Sequence, residues 1–131
     1  MIVLDASALL ELLLGTARAE TISRRALASD VRLHAPHLVD VEILQALRGL
    51  VHLKELAAER AEQALGDLSK LVIERHSHAD LGARIWALRG SLTAYDGAYV
   101  ALAEALGAPL LTCDAKLGRS RGHGAAIDVV T

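Results

Sequence analysis

Aromatic residues make up only 2% of the sequence, and phenylalanine is absent altogether. Aliphatic side chains must therefore build the core, and a surface that binds RNA by stacking bases on rings has few platforms: Trp86, Tyr95 and Tyr99. The single cysteine, Cys113, excludes an internal disulfide and fits a reducing cytoplasm. There is no surplus of basic charge. With a formal net charge of −2, a bulk electrostatic grip on nucleic acid is not expected, and any such grip must be local. No apolar run is long enough to span a bilayer; Asp5 and Glu11 interrupt the N-terminal one, and no basic segment precedes it. The expectation is a soluble cytoplasmic protein with no membrane partner.

The sequence is 53% hydrophobic and 23% charged, a globular balance, and 131 residues are enough for one domain, read here as residues 1–131. A chain of this size buries about 65–70% of the surface exposed when it is unfolded. The chain is organised around Ile2-Val3-Leu4-Asp5, a short apolar strand with a carboxylate at its end and a helical pattern directly after it. A strand without polar alternation belongs inside a parallel sheet, and ligands of open α/β sheets sit at the carboxyl ends of such strands.

Further strands are expected over 31–35, 72–75, 110–113 and 127–130. Helices are expected over 7–14, ended by Gly15, and over 17–28, 39–47, 53–71, 79–88 and 94–106. Pro36 should stop the second strand, and Gly49 should break the helix before it. The 94–106 helix is nearly all small or apolar and should be buried on most sides. Residues 118–124 form a basic, glycine-rich loop. Strands alternating with helices predict a three-layer α/β/α sandwich around a short, mostly parallel sheet.

Four acids fall at element junctions: Asp5, Glu42, Asp96 and Asp114. Each has an ordinary reading. Asp5 and Asp114 can cap the helices they precede, Glu42 can answer a helix dipole from the first turn, and Thr93 with Asp96 resembles a capping box. Their joint placement says more, because all four can converge on one edge of the sheet. Two carboxylates about 4 Å apart repel by about 4 kcal/mol at an effective dielectric near 20. Such a cluster calls for a proton, a basic partner or a cation. A hard divalent cation, Mg²⁺ or Mn²⁺, suits all-oxygen ligands, and such ions serve phosphodiester cleavage.

The strings Val3-Leu4-Asp5-Ala6-Ser7-Ala8-Leu9, Val41-Glu42-Ile43-Leu44-Gln45-Ala46-Leu47, Leu92-Thr93-Ala94-Tyr95-Asp96-Gly97-Ala98-Tyr99-Val100-Ala101-Leu102-Ala103 and Leu111-Thr112-Cys113-Asp114-Ala115-Lys116-Leu117 resemble the four motifs of PIN-domain proteins. Their order, spacing and total length resemble the VapC type, the toxins of toxin–antitoxin pairs. The resemblance implies a metal-dependent endoribonuclease in which Asp5 and Asp96 are the principal Mg²⁺ ligands. Glu42 and Asp114 complete the acidic cluster, directly or through water. Ser7 and Thr112 match small hydroxyl positions beside it. Gly97 stands where the family commonly has Ala, a departure that bears on helix stability. The resemblance also implies an RNA substrate, a cognate antitoxin whose tail covers the site, and a homodimer, with the helices over 17–28 and 53–71 as contact surfaces or, equally, ordinary core elements.

Other readings are weaker. His34 with His37, and His76 with His78, suggest zinc, but neither pair has an evident third ligand. Cys113 has no local histidine partner, so a strand-end packing role is expected rather than a nucleophile. Lys116, Arg119 and Arg121 either meet phosphates beside Asp114 or form a solvated loop. Two rival functions stand beside the nuclease: a PIN module without catalysis, serving as a protein-binding unit, and a receiver-like signalling domain with an acidic Mg²⁺ pocket. The receiver reading wants paired acids after an early strand, whereas Asp5 stands alone.

Overall fold

The computed structural model describes residues 1–131. Five strands, β1 (Ile2–Leu4), β2 (Leu33–Pro36), β3 (Ile73–His76), β4 (Leu110–Thr112) and β5 (Ile127–Val129), form one sheet in the order β3-β2-β1-β4-β5. Every neighbouring pair is parallel, so the sheet is wholly rather than mostly parallel. From central β1 the chain runs outward through β2 and β3, then returns to β4 on the other side. The direction reverses between β1 and β4, and this is where an open α/β sheet opens a crevice at its carboxyl edge. A receiver-like sheet has the order 2-1-3-4-5, which this one does not.

The helices fall into two packed groups that flank the sheet. One comprises α1 (Ala6–Leu14), α2 (Ala19–Ala26), α3 (Leu38–His52) and α4 (Ala58–Lys70). The other comprises α5 (Gly82–Ala87), preceded by a 3₁₀ turn over Ala79–Leu81, and α6 (Ala94–Leu106), which packs on β1, β2 and β4. A short α7 (Ala115–Gly118) lies against β5. The core is aliphatic, as the scarcity of rings requires: Leu4, Leu9, Ile22, Ile43, Leu110, Leu111 and Leu117 are fully buried. Every residue of α6 from Gly97 to Ala103 is buried. A methyl added at Gly97 would stand 3.3 Å from Ile85 Cγ2. The glycine therefore lets α5 approach α6, and this packing accounts for a residue of poor helix propensity. No helix is long and apolar enough to cross a membrane.

Several boundaries differ from the sequence reading. Gly49 lies inside α3, which runs on to His52. The helix expected over 53–71 begins only at Ala58, because α3 ends in a turn that uses Leu53 to Glu55. Lys54 N–H bonds to Val51 O and Glu55 N–H to Leu50 O, while Lys54 takes left-handed backbone (φ 58°). These are the two closing bonds of a Schellman motif, with lysine where glycine is usual. Gly15 (φ 63°) and Gly107 (φ 62°) end α1 and α6 with the same pair of bonds. The 17–28 helix shortens to Ala19–Ala26, and the 79–88 helix divides into the 3₁₀ turn and α5. Pro36 is the last residue of β2 rather than the residue that stops it, and β3 starts one residue late because Val72 is exposed.

Two substitutions test these backbone assignments. Lys54→Gly should stabilise the fold by up to about 1 kcal/mol in urea unfolding, since it relieves left-handed strain. Gly118→Ala should destabilise it by about 1–3 kcal/mol, since the new methyl would stand 2.5 Å from Val129 Cγ2 and push α7 off β5.

Candidate metal centre at the carboxyl edge of the sheet

Asp5 follows β1 directly and caps α1 from extended backbone (φ −83°, ψ 170°). Its Oδ1 accepts from Ala8 N–H (2.9 Å) and from Ser7 Oγ (2.7 Å), and its Oδ2 accepts from Thr112 Oγ1 (2.5 Å) at the end of β4. Ser7 Oγ in turn accepts from Cys113 N–H (2.9 Å), and Thr112 Oγ1 from Asp114 N–H (3.0 Å). Both hydroxyl protons are committed to Asp5, so the 3.2 Å approach of Ser7 Oγ to Thr112 Oγ1 is a contact without a shared proton. The network ties the ends of β1 and β4 together around one carboxylate that is 6% exposed.

The other three acids reach this point from three helices. Asp96 lies in the first turn of α6, where its N–H donates to the capping Thr93 Oγ1 (3.1 Å). Asp114 caps α7, its Oδ1 accepting from Lys116 N–H (2.9 Å). Glu42 sits in the second turn of α3 rather than the first, because the helix starts at Leu38. Its Oε1 accepts from the Tyr99 hydroxyl (2.6 Å). These bonds leave Glu42 Oε2 and Asp114 Oδ2 without a protein donor.

Charge links Asp5, Glu42 and Asp96 to one another and Asp96 to Asp114, although no three of the four carboxylates bring their oxygens within 4.8 Å of one another. Burial pushes the Asp5 carboxyl up; the bonds from Thr112, Ala8 and Ser7 oppose it, and the charge of Asp96 adds to the rise. Burial raises Glu42, the Tyr99 bond opposes, and the charges of Asp96 and Asp5 add. Burial raises Asp96, with the charge of Asp114 adding and Thr93 opposing. No lysine or arginine pairs with any of the four; the ion pairs are Arg18–Glu11, Arg25–Asp128, Arg75–Asp40 and Arg84–Glu104. Negative charge is thus gathered without a protein counter-charge, and a hard divalent cation with all-oxygen ligands fits that deficit.

Beside Asp96 and Asp114 opens a cleft of ≈ 450 Å³, lined also by Thr93, Lys116, Arg119, Ser120 and Arg121. The basic loop is anchored. Arg84 forks onto Glu104 (2.8 and 2.9 Å) and reaches Gly122 O (3.3 Å), while Glu104 also accepts from Gly124 N–H (2.8 Å). Ser91 Oγ donates to Arg121 O (3.1 Å). Lys116, Arg119 and Arg121 therefore line the same cleft as Asp96 and Asp114, with no ion pair between them.

Other expectations resolve as follows. Tyr99, read from sequence as a stacking platform or a core residue, is buried and bonded to Glu42; its spacing of three from Asp96 on one helix is the available signal. Trp86 and Tyr95 are exposed, and Arg89 stacks on the Trp86 ring at 4.6 Å. Cys113 is half-buried with its thiol raised, chiefly by burial, which suits packing rather than nucleophilic work. The histidines, for which the sequence favoured surface or structural roles over zinc, meet across strands rather than within the local pairs. His34 meets His76, and Glu74 joins them.

The PIN domain model matches residues 2–122. The chain belongs to the PIN-domain family. Among its relatives are ribonuclease VapC12 of Mycobacterium tuberculosis, 41% identical over 99% of both chains, and ribonuclease VapC9 of the same organism, 43% identical over 99% of this chain and 98% of that one. The VapBC2 complex of Rickettsia felis, solved bound to a DNA fragment from its promoter, shares the PIN-like fold, with a TM-score of 0.72 at 16% identity over 100% of both chains.

The raised carboxyls carry a stability prediction. An acid whose folded pKa lies above its unfolded value destabilises the fold once ionised, so that loss is present at neutral pH and fades as pH falls. Asp96→Asn should therefore raise the melting temperature of metal-free protein at pH 7 by a few degrees and leave it little changed at pH 4. Differential scanning calorimetry at the two pH values measures this.

Proposed function

We propose that this PIN-domain chain, read as one domain, is a Mg²⁺-dependent endoribonuclease, with Mn²⁺ as a substitute, and the toxin of a toxin–antitoxin pair. The observation that carries the reading is the group of four acids without a counter-charge at the β1/β4 crevice, beside a cleft walled by Lys116, Arg119 and Arg121. That relatives named VapC ribonucleases match over nearly the full length supports it.

Asp5 and Asp96 would hold the ion, with Glu42 and Asp114 completing the set directly or through water. A divalent ion bound there supplies Lewis-acid stabilisation of the charge that develops at the scissile phosphate. The chain's own groups do the rest. Ser7 and Thr112 hold Asp5 in one rotamer and so fix one ligand. Tyr99 holds Glu42 Oε1 and leaves Oε2 without a protein donor, free to orient water by accepting its proton. Lys116, Arg119 and Arg121 pair with the phosphates flanking the cut, a local grip on a chain of slight net negative charge. With Tyr99 buried, only Trp86 and Tyr95 can stack on bases, so backbone shape governs substrate choice more than base identity.

The antitoxin would seat on the exposed apolar surface of α3 and α4, where Leu44, Leu47, Val51, Ala61 and Leu65 line a groove. This falls on part of the 53–71 surface named from sequence and adds α3 to it. A homodimer completes the proposal.

Cleavage of RNA by the purified chain should require Mg²⁺ or Mn²⁺ and stop with EDTA. Asp96→Asn should lower the rate by about 100-fold or more. That variant is cleaner than Asp5→Asn, because Asp5 also ties β1 to β4. Antitoxin binding without metal-dependent cleavage would favour the non-catalytic PIN module instead.

A further inference from the structure

His34 lies in β2 directly opposite Glu74 in β3, and His76 follows two residues later on β3. Residues paired in register share a face of the sheet, as do residues two apart on a strand. The three side chains therefore project together from one face of the β2/β3 edge. His34 Nδ1 stands 2.9 Å from His76 Nε2 and 3.6 Å from Glu74 Oε2, and one donor atom from each residue lies within 4.8 Å of the others. Two ligands bound to one zinc at about 2.0–2.2 Å stand about 3–3.5 Å apart. To close on an ion, the two ring nitrogens must part by a few tenths of an ångström and the exposed Glu74 side chain must turn.

We propose that His34, Glu74 and His76 form a second metal site, separate from the acidic cluster, for a borderline-soft divalent transition ion such as Zn²⁺. Two imidazoles select such an ion over Mg²⁺, which prefers oxygen. His34 is 4% exposed, and its burial keeps the ring neutral, the form that binds metal. The charges that bear on it are those of Glu74, His76, the N-terminus and Arg32, not those of the four acids. Glu74 and His76 face outward enough for an ion to enter, and the three ligands leave a coordination position for water.

Coordination through Nδ1 puts the remaining ring proton of His34 on Nε2, which is buried without a partner. That unmet donor and the missing fourth protein ligand place the site below a closed structural zinc centre in affinity. Occupancy would pin the edge strand β3 to β2, so the site stabilises the sheet edge with the logarithm of the free ion concentration once that exceeds the dissociation constant.

The test uses tag-free, chelator-treated full-length protein, with Zn²⁺ titrated against a chromogenic chelator in excess Mg²⁺. One Zn²⁺ per chain should bind to wild type and equally to Asp96→Asn. His76→Gln should lose at least about tenfold in affinity, the scale of losing even an outer partner of a ligand, and Glu74→Gln should also weaken binding. Zn²⁺ should raise the melting temperature of wild type and not of His76→Gln. Because His34→Ala would open the core, His34 is followed instead by its ring-nitrogen resonances, which should shift together with those of His76. Absence of binding, equal binding in the His76 and Glu74 variants, or loss confined to Asp96→Asn would each overturn the proposal. The site does not depend on the nuclease reading, and RNA cleavage plays no part in the test.

Discussion

The Thr112 hydroxyl donating to Asp5 Oδ2 is the contact around which the functional edge is built. It joins the ends of the two strands between which the sheet reverses direction, β1 and β4, and with Ser7 it holds a carboxylate that burial and neighbouring charge both work to protonate. Backbone N–H groups of Ala8, Cys113 and Asp114 complete the arrangement, so strand ends, two helix caps and the site form one hydrogen-bonded unit. The resulting concentration of negative charge works against the stability of the metal-free fold, and relief by a cation follows from the same electrostatics.

The core supports this by close approach rather than by bulky rings. In α6, Gly97, Ala98, Ala101 and Ala103 belong to a buried middle stretch that lies against the sheet and α5, and the same helix carries Asp96 and Tyr99. Tyr99 is the one large buried ring, and its hydroxyl end is spent on Glu42. One residue therefore serves both packing and the site. The Arg84–Glu104 fork ties the basic loop back to α6 through Gly122 and Gly124, and Arg119 and Arg121 line the same cleft as Asp96 and Asp114.

Where local chemistry announces itself, the sequence was readable. Gly15 and Gly107 mark the ends of α1 and α6 because left-handed closure favours glycine, and the bounds of the Ala94–Leu106 helix were read in full. Lys54 makes the same closing turn without that signal, so the sequence reading breaks the helix early, at Gly49, and starts the next one at Leu53, inside the turn. Apolar periodicity cannot tell a turn from a helix when the turn's residues continue the pattern. The acids were found because each stands at a junction, and four junction motifs in order carry a family resemblance. Their hydrogen-bond partners were less visible: the Tyr99–Glu42 bond joins residues 57 apart in sequence. The histidines show the limit most plainly. Local spacing paired His34 with His37 and His76 with His78, whereas strand register pairs His34 with Glu74 and brings in His76.

The divalent ion proposed to resolve the charge gathered between β1 and β4 can be located by anomalous diffraction from crystals soaked in Mn²⁺. A peak is expected among the carboxylate oxygens of Asp5 and Asp96, within reach of Glu42 and Asp114. A map without a peak there, at Mn²⁺ concentrations that support cleavage, would contradict the proposal.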